Sequence, residues 1–385
     1  MSLLITNITL VTHESMMENQ WLKIEGGNIA AIGPMSEVPA AARTINGRGH
    51  YLLPGAVETH IHGAAGVDAM DADENFVRAI SRHLPSTGTT AFLATTMTSS
   101  LDEIRAAIEN LSDYRYAGGA EMLGIHQEGP FISMKHPGAQ DPRFILPPDA
   151  ETLRRLQDAS GNQIRLMTYA PEEDPESELL QAMEELGIIP SAGHTDATYR
   201  ELEDAHRHGL AHITHLYNGM RGLHHREPGV VGYSFMGDAY VEIIADGVHS
   251  TPQMVKLAYD NITSDRMIMI TDAMRAQGAG DGRYDLGGQE VFVEGNTARL
   301  KSGALAGSVL TMKQAVKNML EFTGCGWMDI VRMTSFNALT SLGMIHERGM
   351  LRAGHPADLV MYDENKELVM TIVRGEVYYE RHPDA

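Results

Sequence analysis

For roughly 300 residues, from about Tyr51 to Met344, short apolar segments alternate with amphipathic ones, with no domain break, internal repeat or low-complexity stretch. Thr89–Thr95 reads as a strand and is followed by a helical stretch from Leu101 to Leu111. Met122–His126 is a strand and Ala150–Asp158 a helix; Ile188–His194 is again a strand, then come the helix Asp196–His208 and the strand Ala211–His215. Val241–Asp246 and Met267–Asp272 continue the alternation around a helix at Met254–Tyr259. Repeated βα units build a parallel sheet covered by helices, and this many without interruption predict a (β/α)8 TIM-type barrel over residues 51–344. A doubly wound sheet is the alternative, but no Gly-x-Gly-x-x-Gly opens a helix after the first strand.

The two ends differ from the middle. Leu4–Val11 is apolar and β-branched, Trp21–Glu25 alternates, Gly26-Gly27 turns and Ile29–Ile32 follows, which is a hairpin signal. Ala357–Tyr362, Leu368–Val373 and Val377–Tyr379 look alike. Both termini are therefore expected to build one small β-sandwich domain from residues 1–50 and 345–385.

Charge and cysteine usage narrow the function. Thirty Lys plus Arg against 51 Asp plus Glu leave −21, which argues against a nucleic-acid surface, since that needs a basic stripe. An anionic small substrate would have to be held by a local cluster of donors. The single cysteine, Cys325, excludes an intrachain disulfide and a cysteine-based zinc site. The N-terminus has neither a positive region nor a long apolar run, so neither a signal peptide nor a membrane anchor is expected, and a reducing cytoplasm is the expected location. With 18 histidines, metal chemistry would rest on imidazole and carboxylate.

Those residue types fall at strand ends. His60 and His62 close the strand Leu52–Thr59, and residues i and i+2 of a strand share a face, so both rings point toward the barrel mouth. Alone, the pair could equally be two polar residues at a strand exit. Glu128, however, ends the strand carrying His126, and His194 and His215 end two strands 21 residues apart, about one βα unit. Asp272 follows Ile268 and Ile270 on a face that turns acidic only at its last residue. In a barrel the C-terminal strand ends line the active site, so this set predicts a metal site. His126 points the same way but reads as a core histidine behind the site.

His60-x-His62 on a first barrel strand, single histidines on two later strands and an Asp on a last one resemble the amidohydrolase superfamily. The strings Gln127–Phe131, Ser191–Thr198, His215–Met220, His225–Gly229, Ala245–His249, Thr271–Met274 and Leu305–Ser308 are similar to the N-acetylglucosamine-6-phosphate deacetylase family, in the family's order. The resemblance implies a homodimeric hydrolase of a phosphorylated amino sugar with one or two divalent ions per subunit, zinc or iron. Glu128, His194 and His215 would hold one ion, and His60 and His62 a second, with Glu128 able to bridge. Many amidohydrolases bridge with a carboxylated lysine, but none of the seven lysines here stands at a barrel-strand end. Asp272 would shuttle the proton and His249 would polarise the acetyl carbonyl. Asn218, Gly219 and Arg226 would take the phosphate, and Ala139, Gln140, Leu305, Ala306 and Gly307 would contact the sugar. Gln140 stands where many members have histidine, which leaves the hexosamine open. The alternatives are a deacetylase of N-acetylgalactosamine 6-phosphate or of an N-acyl amino acid, or a non-catalytic binding protein on the same fold.

Overall fold

The computed structural model describes residues 2–112 and 118–381. Eight parallel strands run in sequence order around the barrel: Ala56–Ile61, Thr89–Thr96, Glu121–Glu128, Ile164–Tyr169, Ile189–Ala192, His212–Ile213, Tyr240–Ile244 and Met267–Ile270. A parallel bridge between Ile61 and Ala273 joins the last strand to the first. Every residue of the first two strands is buried, as expected where a parallel sheet is covered on both faces. Helices return the chain between strands. The one at Tyr199–Arg207 starts later than its periodicity predicts, because Thr198 and Glu201 form a capping box there. No helix among the described residues is long and apolar enough to cross a membrane.

The strand expected at Leu52–Thr59 is two strands. Tyr51–Pro54 pairs with Ser2–Val11 and with Leu359–Tyr362, whereas Ala56–Ile61 enters the barrel. Gly55 is the crossing point: a Cβ there would lie 2.2 Å from the Thr90 side chain. Only a residue without a side chain lets the backbone pass this close to the barrel wall. The chain termini supply the remaining strands of one continuous eight-stranded sheet, whose own apolar core includes Ile5, Leu10, Leu22, Leu359 and Ile372.

A three-stranded sheet at Gly282–Leu286, Gln289–Glu294 and Thr297–Leu300 has no counterpart in the sequence reading. Its middle strand buries only alternate residues, and the unit packs Leu286, Val291 and Val293 against Met97, Met274 and Ala306 at the barrel mouth. Gln289 Nε2 donates to the Ala139 carbonyl at 2.5 Å, which ties this sheet to the loop after the third barrel strand.

Gly55→Ala should destabilise the protein by about 1–3 kcal/mol through overpacking against Thr90. The melting temperature should fall by several degrees, with the metal content of the folded protein unchanged. A melting curve matching that of the parent would show that Thr90 yields without cost.

Candidate metal centre and active site

The site forms where the first, third, fifth, sixth and eighth strands end. His194, His215 and Asp272 lie not on strands but two residues beyond them, with φ of +49°, +30° and +50°. Left-handed backbone is uncommon outside glycine, though Asp and His adopt it more readily than most, and it is retained where the surrounding structure fixes it. Here it turns the side chains into the barrel mouth. The His194 ring lies close to Gly138 and Gly219, where a Cβ would come within 3.1 and 3.0 Å of it.

The ring orientations are set from behind. His60 Nδ1 lies 3.2 Å from Glu242 Oε2, His62 Nδ1 is 3.2 Å from the Thr95 carbonyl, and His194 Nδ1 is 2.9 Å from the His136 carbonyl. Each partner accepts only, so each Nδ1 carries a proton and each ring turns its Nε2 toward the site. These nitrogens face lone pairs. His194 Nε2 is 3.1 Å from Glu128 Oε1 and 3.2 Å from His215 Nε2; His62 Nε2 is 3.3 Å from Asp272 Oδ1 and 3.4 Å from Glu128 Oε2. His60 Nε2 and Asp272 Oδ1 are buried without a hydrogen-bond partner.

Nitrogen and oxygen atoms so arranged repel unless protons or a cation lie among them. Two imidazole nitrogens bound to one tetrahedral zinc stand about 3.3 Å apart, close to the separation of His194 and His215. The donor sets Glu128–His194–His215 and His60–His62–Asp272 therefore fit divalent ions. Charge agrees. Burial opposes protonation of His62 and His215, but Asp272 and Glu128 outweigh it and lift both to about 9. Burial likewise raises the pKa of Asp272, yet His60 and His62 bring it to about 2. Lacking a metal, the cluster would hold protons, and an ion replaces them.

A pocket over this centre is lined by His62, Met97, Glu128, Gly138, Ala139, Gln140, His194, His215, Asn218, Gly219, His249, Asp272, Ala304 and Leu305. A larger cleft at the terminal sheet, lined by Ser2, Arg43 and Arg374 among others, brings together no comparable group of donors. His249 is fixed by Asp246, which accepts from its Nδ1 at 2.7 Å and from its backbone N–H at 2.8 Å. That pairing fixes the ring, which lines the pocket.

Other expected contacts fall elsewhere. Arg226 lies outside the pocket lining, exposed, with His225 Nε2 2.8 Å from its guanidinium. Ala306 and Gly307 are outside the pocket lining, Ala306 being fully buried. Gln140 lines the pocket, but both ends of its amide are engaged with Thr98 and Glu128. His126 is in the core, bonded to the Thr59 carbonyl and to Thr168 Oγ1, and burial drives its pKa down to about 3. Sequence reasoning passed over Glu242, which also accepts from Thr59 Oγ1 at 2.9 Å. Its signal was a carboxylate in the middle of the apolar strand Tyr240–Ile244. Burial pushes this carboxyl up, but His60 outweighs it and leaves it at about 2.

A (β/α)8 barrel with paired imidazole–carboxylate clusters at its strand ends defines a metal-dependent hydrolase. Residues 51–378 match the amidohydrolase family. The N-acetylglucosamine-6-phosphate deacetylase of Bacillus subtilis (strain 168) is 43% identical over 98% of this chain and 97% of its own. The N-acetylgalactosamine-6-phosphate deacetylase of Escherichia coli O157:H7 is 34% identical over 96% and 97%. Among solved structures, an N-acetyl-D-glucosamine-6-phosphate deacetylase variant from Mycobacterium smegmatis, in complex with N-acetyl-D-glucosamine-6-phosphate, superposes with a TM-score of 0.92 at 29% identity, covering 98% of this chain and 99% of that one. This chain belongs to the amidohydrolase family and, within it, to the N-acetylglucosamine-6-phosphate deacetylases.

His194→Ala should lower the metal content measured by elemental analysis, since no neighbouring side chain replaces its Nε2. The apparent metal affinity should also rise with pH up to about 9, because the ion displaces protons from His62 and His215. Undiminished stoichiometry in the variant would remove His194 from the ligand set.

Proposed function

We infer that the chain hydrolyses the acetamide of N-acetylglucosamine 6-phosphate, releasing glucosamine 6-phosphate and acetate. The convergence of Nε2 atoms and carboxylates beneath a pocket carries this reading, and 43% identity over 98% of the chain gives it its substrate. Glu128, His194 and His215 would hold one divalent ion, and His60 and His62 a second. Nitrogen and carboxylate ligands suit zinc or iron alike. A bound ion supplies Lewis acidity, making water acidic enough to attack near neutral pH and polarising the carbonyl.

The chain's own groups do the rest. Asp272 enters as a carboxylate, takes a proton from the attacking water and hands it to the amine nitrogen as the C–N bond breaks. His249, steadied by Asp246, holds the acetamide in the orientation for attack. Ala139 and Leu305 flank the sugar, and Asn218 with the Gly219 backbone holds the phosphate at the pocket rim.

We place Arg226 in the same task, in a homodimer. It shares an exposed loop with Leu223, which is 58% exposed, near the helices that carry the exposed Met236 and Met254. No carboxylate among the described residues lies within 4.0 Å of its guanidinium. A second copy covering this apolar face would bury the loop and leave the guanidinium an anion to meet. The same contact would hold N-acetylgalactosamine 6-phosphate, the runner-up substrate.

Asp272→Asn keeps the size of the side chain but cannot take a proton, so kcat should fall by about a hundred- to ten-thousandfold. Substrate affinity should change far less. A variant within about threefold of the parent kcat would move the base elsewhere, to His249 first.

Arg226→Ala removes a charge-assisted contact of about 1.5–3 kcal/mol, or about ten- to a hundredfold in kcat/KM for the phosphorylated sugar. Activity on unphosphorylated N-acetylglucosamine should barely change. Light scattering should give twice the 42.1 kDa chain mass, and Leu223→Glu should both halve that mass and reproduce the selective loss. Equal losses on both sugars would assign Arg226 to the fold, and a parent enzyme with no preference for the phosphate would sink the substrate reading.

A further inference from the structure

Gln140 lies in the pocket wall, 12 residues after Glu128, with 3% of its surface exposed. An amide in such a position is an obvious sugar contact, yet neither end is free. The Thr98 backbone N–H donates to Oε1 at 2.7 Å, and Nε2 lies 2.6 Å from Glu128 Oε2. The Thr98 amide can only donate, so the oxygen must face it and the NH2 must face the carboxylate. The backbone is equally fixed. Gln140 N–H donates to the Pro137 carbonyl at 2.8 Å, and the Ala139 carbonyl accepts from Gln289.

The consequence falls on Glu128. Its Oε1 faces His194 and His215 at 3.1 and 3.2 Å and His60 at 3.5 Å, while Oε2 faces His62 at 3.4 Å. A carboxylate turns easily about its last torsion, whose profile is broad. A hydrogen bond to Oε2 alone selects the rotation that turns Oε1 to His194 and His215 and Oε2 to His62. The donor is also neutral. Lys or Arg would cancel the charge that attracts a cation, and Asp or Glu would repel the carboxylate. The same loop holds His194, through the His136 carbonyl. One short segment therefore fixes two donors of the first cluster.

We propose that Gln140 is a positioning residue, not a sugar contact: it holds Glu128 across both donor clusters and so completes the site for a second divalent ion. The proposal rests on the metal reading given above. Its variants should lose metal at one subsite while keeping the substrate's affinity.

The test is zinc titration of the full-length protein, with bound ions counted by elemental analysis and KM measured for N-acetylglucosamine 6-phosphate. The parent protein should bind two ions per chain. Gln140→Leu should keep one and bind the other about ten- to a hundredfold more weakly, with KM within about threefold. Gln140→Glu keeps the acceptor for Thr98 but loses the donor to Glu128, so it should show the same loss even if the Leu variant folds poorly. Adding Gln140→Leu to a His60→Ala, His62→Ala background should weaken binding no further.

Unchanged binding of both ions with a KM raised tenfold or more would make Gln140 a sugar contact and overturn the proposal. So would a parent protein that binds a single ion. The metal reading has its own failure, which is distinct: Glu128→Gln and His194→Ala proteins that retain the parent's full metal content.

Discussion

Three histidines of the site are gripped at Nδ1 by groups that can only accept: the Glu242 carboxylate for His60, the Thr95 carbonyl for His62 and the His136 carbonyl for His194. That constraint decides the tautomer, and the tautomer decides the chemistry. Every free Nε2 then points into a space already occupied by carboxylate oxygens. Without a metal, such a centre is held together by protons on its rings, and a cation takes their place. It is organised for a cation before one arrives, which is how outer partners raise affinity and fix ring orientation.

The barrel makes this possible by where it lets strands end. A carbonyl can hold a ring only if it comes from a neighbouring element. Thr95, on the second strand, serves His62 beyond the end of the first, and His136, on the loop after the third, serves His194. Left-handed turns at His194, His215 and Asp272 bring side chains from separate strands into one small volume. The backbone strain of those turns is tolerated because the barrel beneath is buried and continuous: the Asp272 N–H donates to the His60 carbonyl, and the Ser308 N–H donates to the Asp272 carbonyl.

Sequence patterns carried the parts of this structure that depend on one residue at a time. The alternation of strands and helices, the His-x-His pair and the acidic residue closing an apolar strand are local, and they located the barrel and its centre. What depends on two distant segments was not legible. Gly55 separates two sheets only because Thr90 stands opposite, 35 positions away. The three-stranded sheet buries one residue in two against Met97 and Met274, so its hydrophobic signal is thin. Arg226 looked like part of the pocket because it follows Asn218 and Gly219 closely in sequence. The chain turns there, and only the first two reach the pocket lining. Glu242 had a readable signal, but its partner His60 lies 182 residues earlier.

The engagement of Gln140 also bears on which hexosamine the pocket prefers. A site rejects an epimer strongly when it must leave a buried polar group unpaired, and only weakly when it merely excludes volume. An amide bound at both ends leaves nothing unpaired when a sugar hydroxyl changes configuration. Met97, Ala304 and Leu305 can crowd a hydroxyl but cannot bond one through their side chains. On the proposed binding mode, the strong discrimination available to this pocket would lie at the phosphate and the acetamide, and the ring between them would be sorted chiefly by shape. Relatives named for the gluco and the galacto substrate match this chain at 43% and 34% identity, and a pocket that read only the two ends of its substrate would need few changes to pass from one epimer to the other.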